Sequence, residues 1–125
     1  MIAVLIPVHN EQERLGACLR AVAEAARHPA LGGEAVAVIV ALDACTDRSA
    51  QIARAGGAQP VVVYGRNVGA ARAAAAAQAL ALGARWLSCT DADSEVAPDW
   101  IAAQLAEDAQ AVCGTVEIAD WVGET

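Results

Sequence analysis

Residues 2–8, Ile2-Ala3-Val4-Leu5-Ile6-Pro7-Val8, form an unbroken aliphatic run that ends abruptly at His9-Asn10-Glu11. A strand with one wet face would alternate apolar and polar side chains, so this run belongs in a sheet covered on both sides. It is expected to be the first and central strand. Comparable runs recur at residues 35–42, 61–64, 85–90 and 111–118, and segments with helical spacing lie between them. Leu15, Cys18, Leu19, Val22 and Ala26 lie along one helical face as far as His28-Pro29, and Asn10 with Glu13 has the form of a capping box before them. Thr46 is placed to cap a short helix over residues 47–55 that Gly56-Gly57 stops. Gly65-Arg66-Asn67-Val68-Gly69 opens a long Ala-rich helix ending at Gly83, and Pro98 suits the first turn of one more helix.

Strands alternating with helices at this spacing are βαβ units. The expected fold class is therefore α/β: a three-layer α/β/α sandwich around a mostly parallel, Rossmann-like sheet of strand order 3-2-1-4. At 125 residues the chain is long enough for one domain with a core.

Charge narrows the partners. Eight Arg against fifteen Asp and Glu give a net charge of −7, which disfavours nucleic acid as a ligand. An acidic chain can still bind phosphates through a cation or a few placed Arg and backbone N–H groups. The longest uncharged apolar stretch, residues 73–84, is far short of the roughly 20 residues of a membrane span, so no transmembrane segment is expected. The amino-terminal residues lack the basic region and cleavage site of a secretory signal, and the expected location is cytoplasmic. Cys18, Cys45, Cys89 and Cys113 show no ligand spacing and read as reduced cysteines of the core.

In an open parallel sheet, ligands bind beyond the carboxyl ends of the strands, where the strand order reverses. Those ends carry His9, Asn10 and Glu11 after the first strand, Asp43 after the second, Arg66 and Asn67 after the third, and Asp91 and Asp93 after the fourth. Any one of these residues alone reads as a helix cap; several at one rim read as a site. Asp91-Ala92-Asp93 sets two carboxylates two residues apart, a pattern that can hold a hard divalent cation. Neither G-x-G-x-x-G nor a P-loop is present to hold phosphates.

Four segments in order, Ile6-Pro7-Val8-His9-Asn10-Glu11, Leu42-Asp43-Ala44-Cys45-Thr46-Asp47-Arg48-Ser49, Arg66-Asn67-Val68-Gly69-Ala70-Ala71-Arg72 and Thr90-Asp91-Ala92-Asp93, make the chain resemble the nucleotide-binding half of a family 2 glycosyltransferase of the GT-A fold. The resemblance implies a metal-dependent, inverting transfer from a nucleoside diphosphate sugar, UDP- or GDP-linked, with Mn²⁺ or Mg²⁺ as the cofactor. It implies that Pro7, His9, Asn10 and Glu11 lie near the base and ribose, that Asp43 hydrogen-bonds the base, and that Asn67, Gly69 and Arg72 approach the base and diphosphate. Asp91 and Asp93 match the metal-binding D-x-D, with Ala92 between them at the nucleotide. Where many members carry a second Asp, this chain has Ala44.

The family's catalytic Asp or Glu lies well downstream of D-x-D, on an acceptor-binding half, so residues 1–125 are expected to be a single nucleotide-sugar-binding domain without that half, and the catalytic residue is unknown. Glu117, Asp120 and Glu124 read as solvated charges, and Trp121 as a cover for the sheet edge. An open edge at residues 111–118 leads to the expectation of a homodimer. Two other classes remain open: a non-catalytic nucleotide-binding or interaction module of the same fold, and a nucleotidyltransferase, which fits less well because its first loop is usually Gly-rich and basic.

Overall fold

The computed structural model describes residues 1–107. Its elements run β1 (Ile2–Val8), α1 (Leu15–Ala26), a 3-10 turn (Pro29–Leu31), β2 (Val36–Asp43), α2 (Ser49–Ala55), β3 (Gln59–Val63), α3 (Val68–Ala81), β4 (Trp86–Cys89) and α4 (Trp100–Ala106). Among the described residues the strands form one parallel sheet of order β3-β2-β1-β4. β1 lies at the centre, in register with β2 from Ile2↔Val36 to Val8↔Leu42 and with β4 from Ile2↔Trp86 to Leu5↔Cys89. The fifth strand expected at residues 111–118, and the dimer expected through it, fall outside the described residues.

The pleat divides β1 between two cores. Ile2, Val4, Ile6 and Val8 enter the cluster that includes Leu15, Cys18, Val22 and Ile101, on the face covered by α1, α2 and α4. Ala3 and Leu5 enter the other, with Ile39 and Ala41 against Ala71, Ala75 and Ala79 of α3. A face built from methyl groups lets α3 lie close to the sheet, and Ala is also the residue with the strongest helix preference. α4 is tied to β4 through buried and half-buried polar groups: Trp86 Nε1 donates to Ser88 Oγ at 3.1 Å and to Gln104 Oε1 at 3.2 Å, and the Ser88 hydroxyl also donates to Gln104.

Two caps depart from the sequence expectation. Asn10 does not cap α1. It sits at φ 50, outside the extended region an N-cap needs, and its Oδ1 accepts from the backbone N–H groups of Thr46 at 2.8 Å and Asp47 at 3.3 Å. α1 therefore starts later, at Leu15, with no side-chain cap. Thr46 likewise does not cap α2, which starts at Ser49; Gln12 Oε1 accepts from Arg48 N, and Asp47 Oδ1 accepts from Ser49 N. Elsewhere the boundaries move by a residue or two, as when β3 begins at Gln59 and ends at Val63. α3, by contrast, has a side-chain cap: Asn67, at φ −141, accepts from Ala70 N at 3.0 Å. Asn67→Ala is expected to lower stability by about 1 kcal/mol in urea denaturation.

At the opposite, amino edge of the sheet, Arg85 grips Glu34 with two hydrogen bonds of 2.7 Å, and the Met1 amino group lies 3.1 Å from the same carboxylate. The Arg85 hydrogen bonds, with those of the amino group, hold Glu34 down at about 2 from an ordinary 4.5. A carboxylate depressed in the folded state stabilises above its unfolded value and loses that effect as pH falls through the folded one. Glu34→Gln should therefore melt below the wild type at pH 7. The difference is expected to shrink between pH 4.5 and pH 2, as melting curves across that range would show.

Candidate functional site

The loops after β1 and β2 are knitted together. Besides the Asn10 bonds, Gln12 N donates to Asp47 Oδ2 at 3.1 Å, and Glu11 N donates to the buried Ser49 hydroxyl at 3.0 Å. For Asp47, burial pushes the carboxyl up, but the hydrogen bonds from Ser49 and Gln12 outweigh it, and the net shift is downward.

The loop after β3 is tied to β2 in turn. Asp43, only 4% exposed, accepts from Arg66 N on one carboxylate oxygen and from Asn67 N on the other, both at 2.8 Å. Its backbone carbonyl accepts from His9 Nδ1 at 2.7 Å. Since a carbonyl only accepts, Nδ1 carries the proton and Nε2 is the nitrogen left for a ligand. Asn10, Ala44 and Arg66, one after each of three adjacent strands, hold left-handed φ values of 50, 50 and 48. Non-glycine residues rarely rest there, and such strain persists where surrounding bonds fix it, often at functional sites.

Across the switch point between β1 and β4, the Asp91-Ala92-Asp93 segment forms a turn closed by Ser94 N donating to Asp91 O at 3.0 Å. Ala92, 4% exposed, points into the core, so its two neighbours point out, with the Asp91 and Asp93 side chains 61% and 48% exposed. Asp91 pairs with Arg72 of α3 at 3.3 Å, and Asp93 pairs with Arg14 at 3.6 Å. The Nε of Arg72 is buried with no hydrogen-bond partner. Cys18 of α1 lies beneath the turn, its Sγ 3.5 Å from the Asp91 carbonyl. Burial, and then the Asp93, Asp91 and Glu95 charges, push this thiol up to about 11, so it keeps its proton at neutral pH.

These loops enclose a cavity of about 280 Å³. Of the residues expected at the site, Pro7, His9, Glu11, Asp43, Asp91, Ala92 and Asp93 line it. Asn10 does not; it borders a separate polar depression with Gln12, Glu13 and Asp47. Asn67, Gly69 and Arg72 are not in the wall either: Asn67 is engaged as the α3 cap, and Arg72 reaches the rim through Asp91. The wall also includes Val8, Val68 and Ala71, which the sequence reading did not single out. Val68 and Ala71 are one turn apart at the start of α3, and their helical spacing was the available signal.

The donor set suits a hard cation in part. Two exposed carboxylates at one rim provide oxygen ligands of the type Mn²⁺ and Mg²⁺ prefer. Among the described residues no group of three or more His, Cys, Asp and Glu side chains could hold a metal, so further ligands would have to come from a phosphate and water. Among them, too, no helix is long and apolar enough to cross a membrane.

The crystal structure of S. aureus TarS residues 1–349 superposes with a TM-score of 0.68 at 19% identity, covering 84% of this chain and 31% of that one. The same protein in complex with UDP-GlcNAc gives 0.65 at 20% identity, over 84% and 30%. Glucosyl-3-phosphoglycerate synthase from Mycobacterium tuberculosis, in complex with Mn²⁺, UDP and glucosyl-3-phosphoglycerate, gives 0.60 at 22%, over 78% and 36%. The chain thus spans about a third of the length of these structures, and at such identities the likeness is one of fold, the Rossmann-like α/β fold of GT-A glycosyltransferases. No curated protein matches the sequence. The family model for glycosyl transferase family 2, however, matches residues 3–124, and on that match over nearly its whole length the chain belongs to this family.

Proposed function

We propose that this chain is the donor-binding domain of a metal-dependent, inverting glycosyltransferase, and that it binds a UDP- or GDP-linked sugar in the cavity at the carboxyl edge of the sheet. The observation that carries this reading is the convergence of His9, Asp43, Asp91 and Asp93, from three different strand ends, on one cavity at the switch point. The relatives solved with UDP-GlcNAc and with Mn²⁺ and UDP support the ligand class.

In this reading Pro7, His9 and Glu11 flank the nucleoside, with Asn10 holding their loop in place from behind. Asp43 keeps a second lone pair on each oxygen for a base N–H after satisfying Arg66 and Asn67. Asn67 and Gly69 set the start of α3, and Arg72, with its unpartnered Nε, adds positive charge beside the diphosphate. Asp91 and Asp93 hold Mn²⁺ or Mg²⁺, which when bound takes up charge developing on the departing diphosphate.

Inverting transfer also needs a base on the attacking hydroxyl. A second reading is a nucleotide-binding module of the same fold without transfer. The setting in this reading is cytoplasmic, where the cell keeps thiols such as those of Cys18 and Cys45 reduced. Calorimetric titration with UDP and GDP, each with and without Mn²⁺, tests the shared core of both readings. Binding of one nucleotide that strengthens with the metal is expected; absence of metal-linked binding for both would overturn the site. Transfer to an added acceptor then separates enzyme from module.

A further inference from the structure

The carboxylates of Asp91 and Asp93 are exposed, yet the turn that carries them is anchored from below by one face of α1. Arg14, the residue just before α1, and Cys18 within it are four residues apart and lie one above the other. Arg14 meets the Asp93 carboxylate at 3.6 Å, and the Cys18 thiol meets the Asp91 backbone carbonyl at 3.5 Å. That carbonyl already closes the turn by accepting from Ser94 N, so the thiol fills its second lone pair. Ala92 adds a third anchor, buried in the same cluster as Leu15, Cys18 and Ile101.

We propose that this end of α1 is a brace that holds the turn carrying the two carboxylates in place for a cation, with Cys18 and Arg14, both outside the cavity wall, as positioning residues. The proposal rests on the reading of Asp91 and Asp93 as cation ligands. Physical tolerance is the reason a brace matters: Mg²⁺ demands near-ideal octahedral geometry at about 2.0–2.1 Å, so a turn free to shift by a few tenths of an ångström presents a poorer pair of ligands. Groups that orient ligands from behind typically govern about 10–100-fold in metal affinity. An exposed ion pair such as Arg14–Asp93 adds little to global stability, so its effect should be seen in ligand geometry.

The test compares variants of the whole chain by the metal-linked gain, the ratio of the UDP dissociation constant without Mn²⁺ to that with it, using GDP if the wild type prefers it. Cys18→Val keeps an apolar group of similar size but has no donor, and is expected to cut the gain about tenfold while leaving metal-free affinity unchanged. Cys18→Ser retains a donor and should keep most of the gain, which a purely structural role would not predict. Arg14→Gln, at an exposed position that does not threaten folding, should also lower the gain. If Cys18→Val does not fold, Cys18→Ala supplies the same comparison. A full gain in Cys18→Val, a Cys18→Ser loss equal to that of Cys18→Val, or a gain in Arg14→Gln at or above the wild type overturns the brace. A wild type with no metal-linked gain overturns the cation site itself, and the brace with it.

Discussion

Asp43→Asn is expected to lower the free energy of unfolding by about 2–3 kcal/mol, the scale of hydrogen bonds to a charged group when one is left unmade. Asp43 is almost fully buried, and each carboxylate oxygen accepts one backbone N–H at 2.8 Å, from Arg66 and from Asn67. Asn has nearly the same shape but only one acceptor, so its amide group must face a backbone N–H donor to donor. One of the two N–H groups is then left unpaired. Arg66 adds to the cost, because its left-handed φ of 48 is held in part by this bond, and the loop loses a restraint against relaxing. Asp43→Ala should cost a similar amount for a simpler reason, since both donors lose their partner. Urea denaturation monitored by circular dichroism measures both. A loss below about 1 kcal/mol for Asp43→Asn would mean that the loop after β3 finds other partners, and would remove Asp43 as its anchor.

Asp93→Asn should leave stability nearly unchanged and weaken nucleoside diphosphate binding in Mn²⁺ by on the order of 2 kcal/mol, roughly thirtyfold in Kd. The contrast with Asp43 follows from where the two carboxylates sit. Asp93 is 48% exposed, and its partner Arg14 lies 3.6 Å away at the surface, so solvent screens the pair and its loss costs the fold little. What Asn removes is the negative charge offered to a hard cation, which an amide oxygen replaces poorly. Titration with and without metal gives the sign of the effect: the loss is expected in Mn²⁺ and absent without it. Equal weakening in both conditions would show that Asp93 touches the nucleotide directly or supports the loop.

The layered α/β fold was legible in the sequence because its cause is local. An uninterrupted aliphatic run such as Ile2–Val8 can be buried only in a sheet with two covered faces, and the Ala-rich segment after Asn67 has the composition of a helix packed closely on one. Asp91 and Asp93 were legible as two carboxylates at one strand end, whereas the burial of Ala92 between them is a result of packing. Asn67 was placed correctly at the opening of a helix, and the N–H it caps lies three residues on in the same segment. Asn10 was not, because an amide oxygen gains about as much from any backbone N–H, and the one it takes belongs to Thr46, 36 residues away. The same holds for Gln12 on Arg48, Ser49 under Glu11 and Cys18 under Asp91, all of which join segments far apart in the sequence. Local periodicity and capping thus determined which segments are strands and helices and which polar residues reach one rim. Only the packing of β1 between β2 and β4 decided which of those polar groups are spent holding loops and which are left facing the cavity, since that choice depends on distances between residues the sequence keeps far apart.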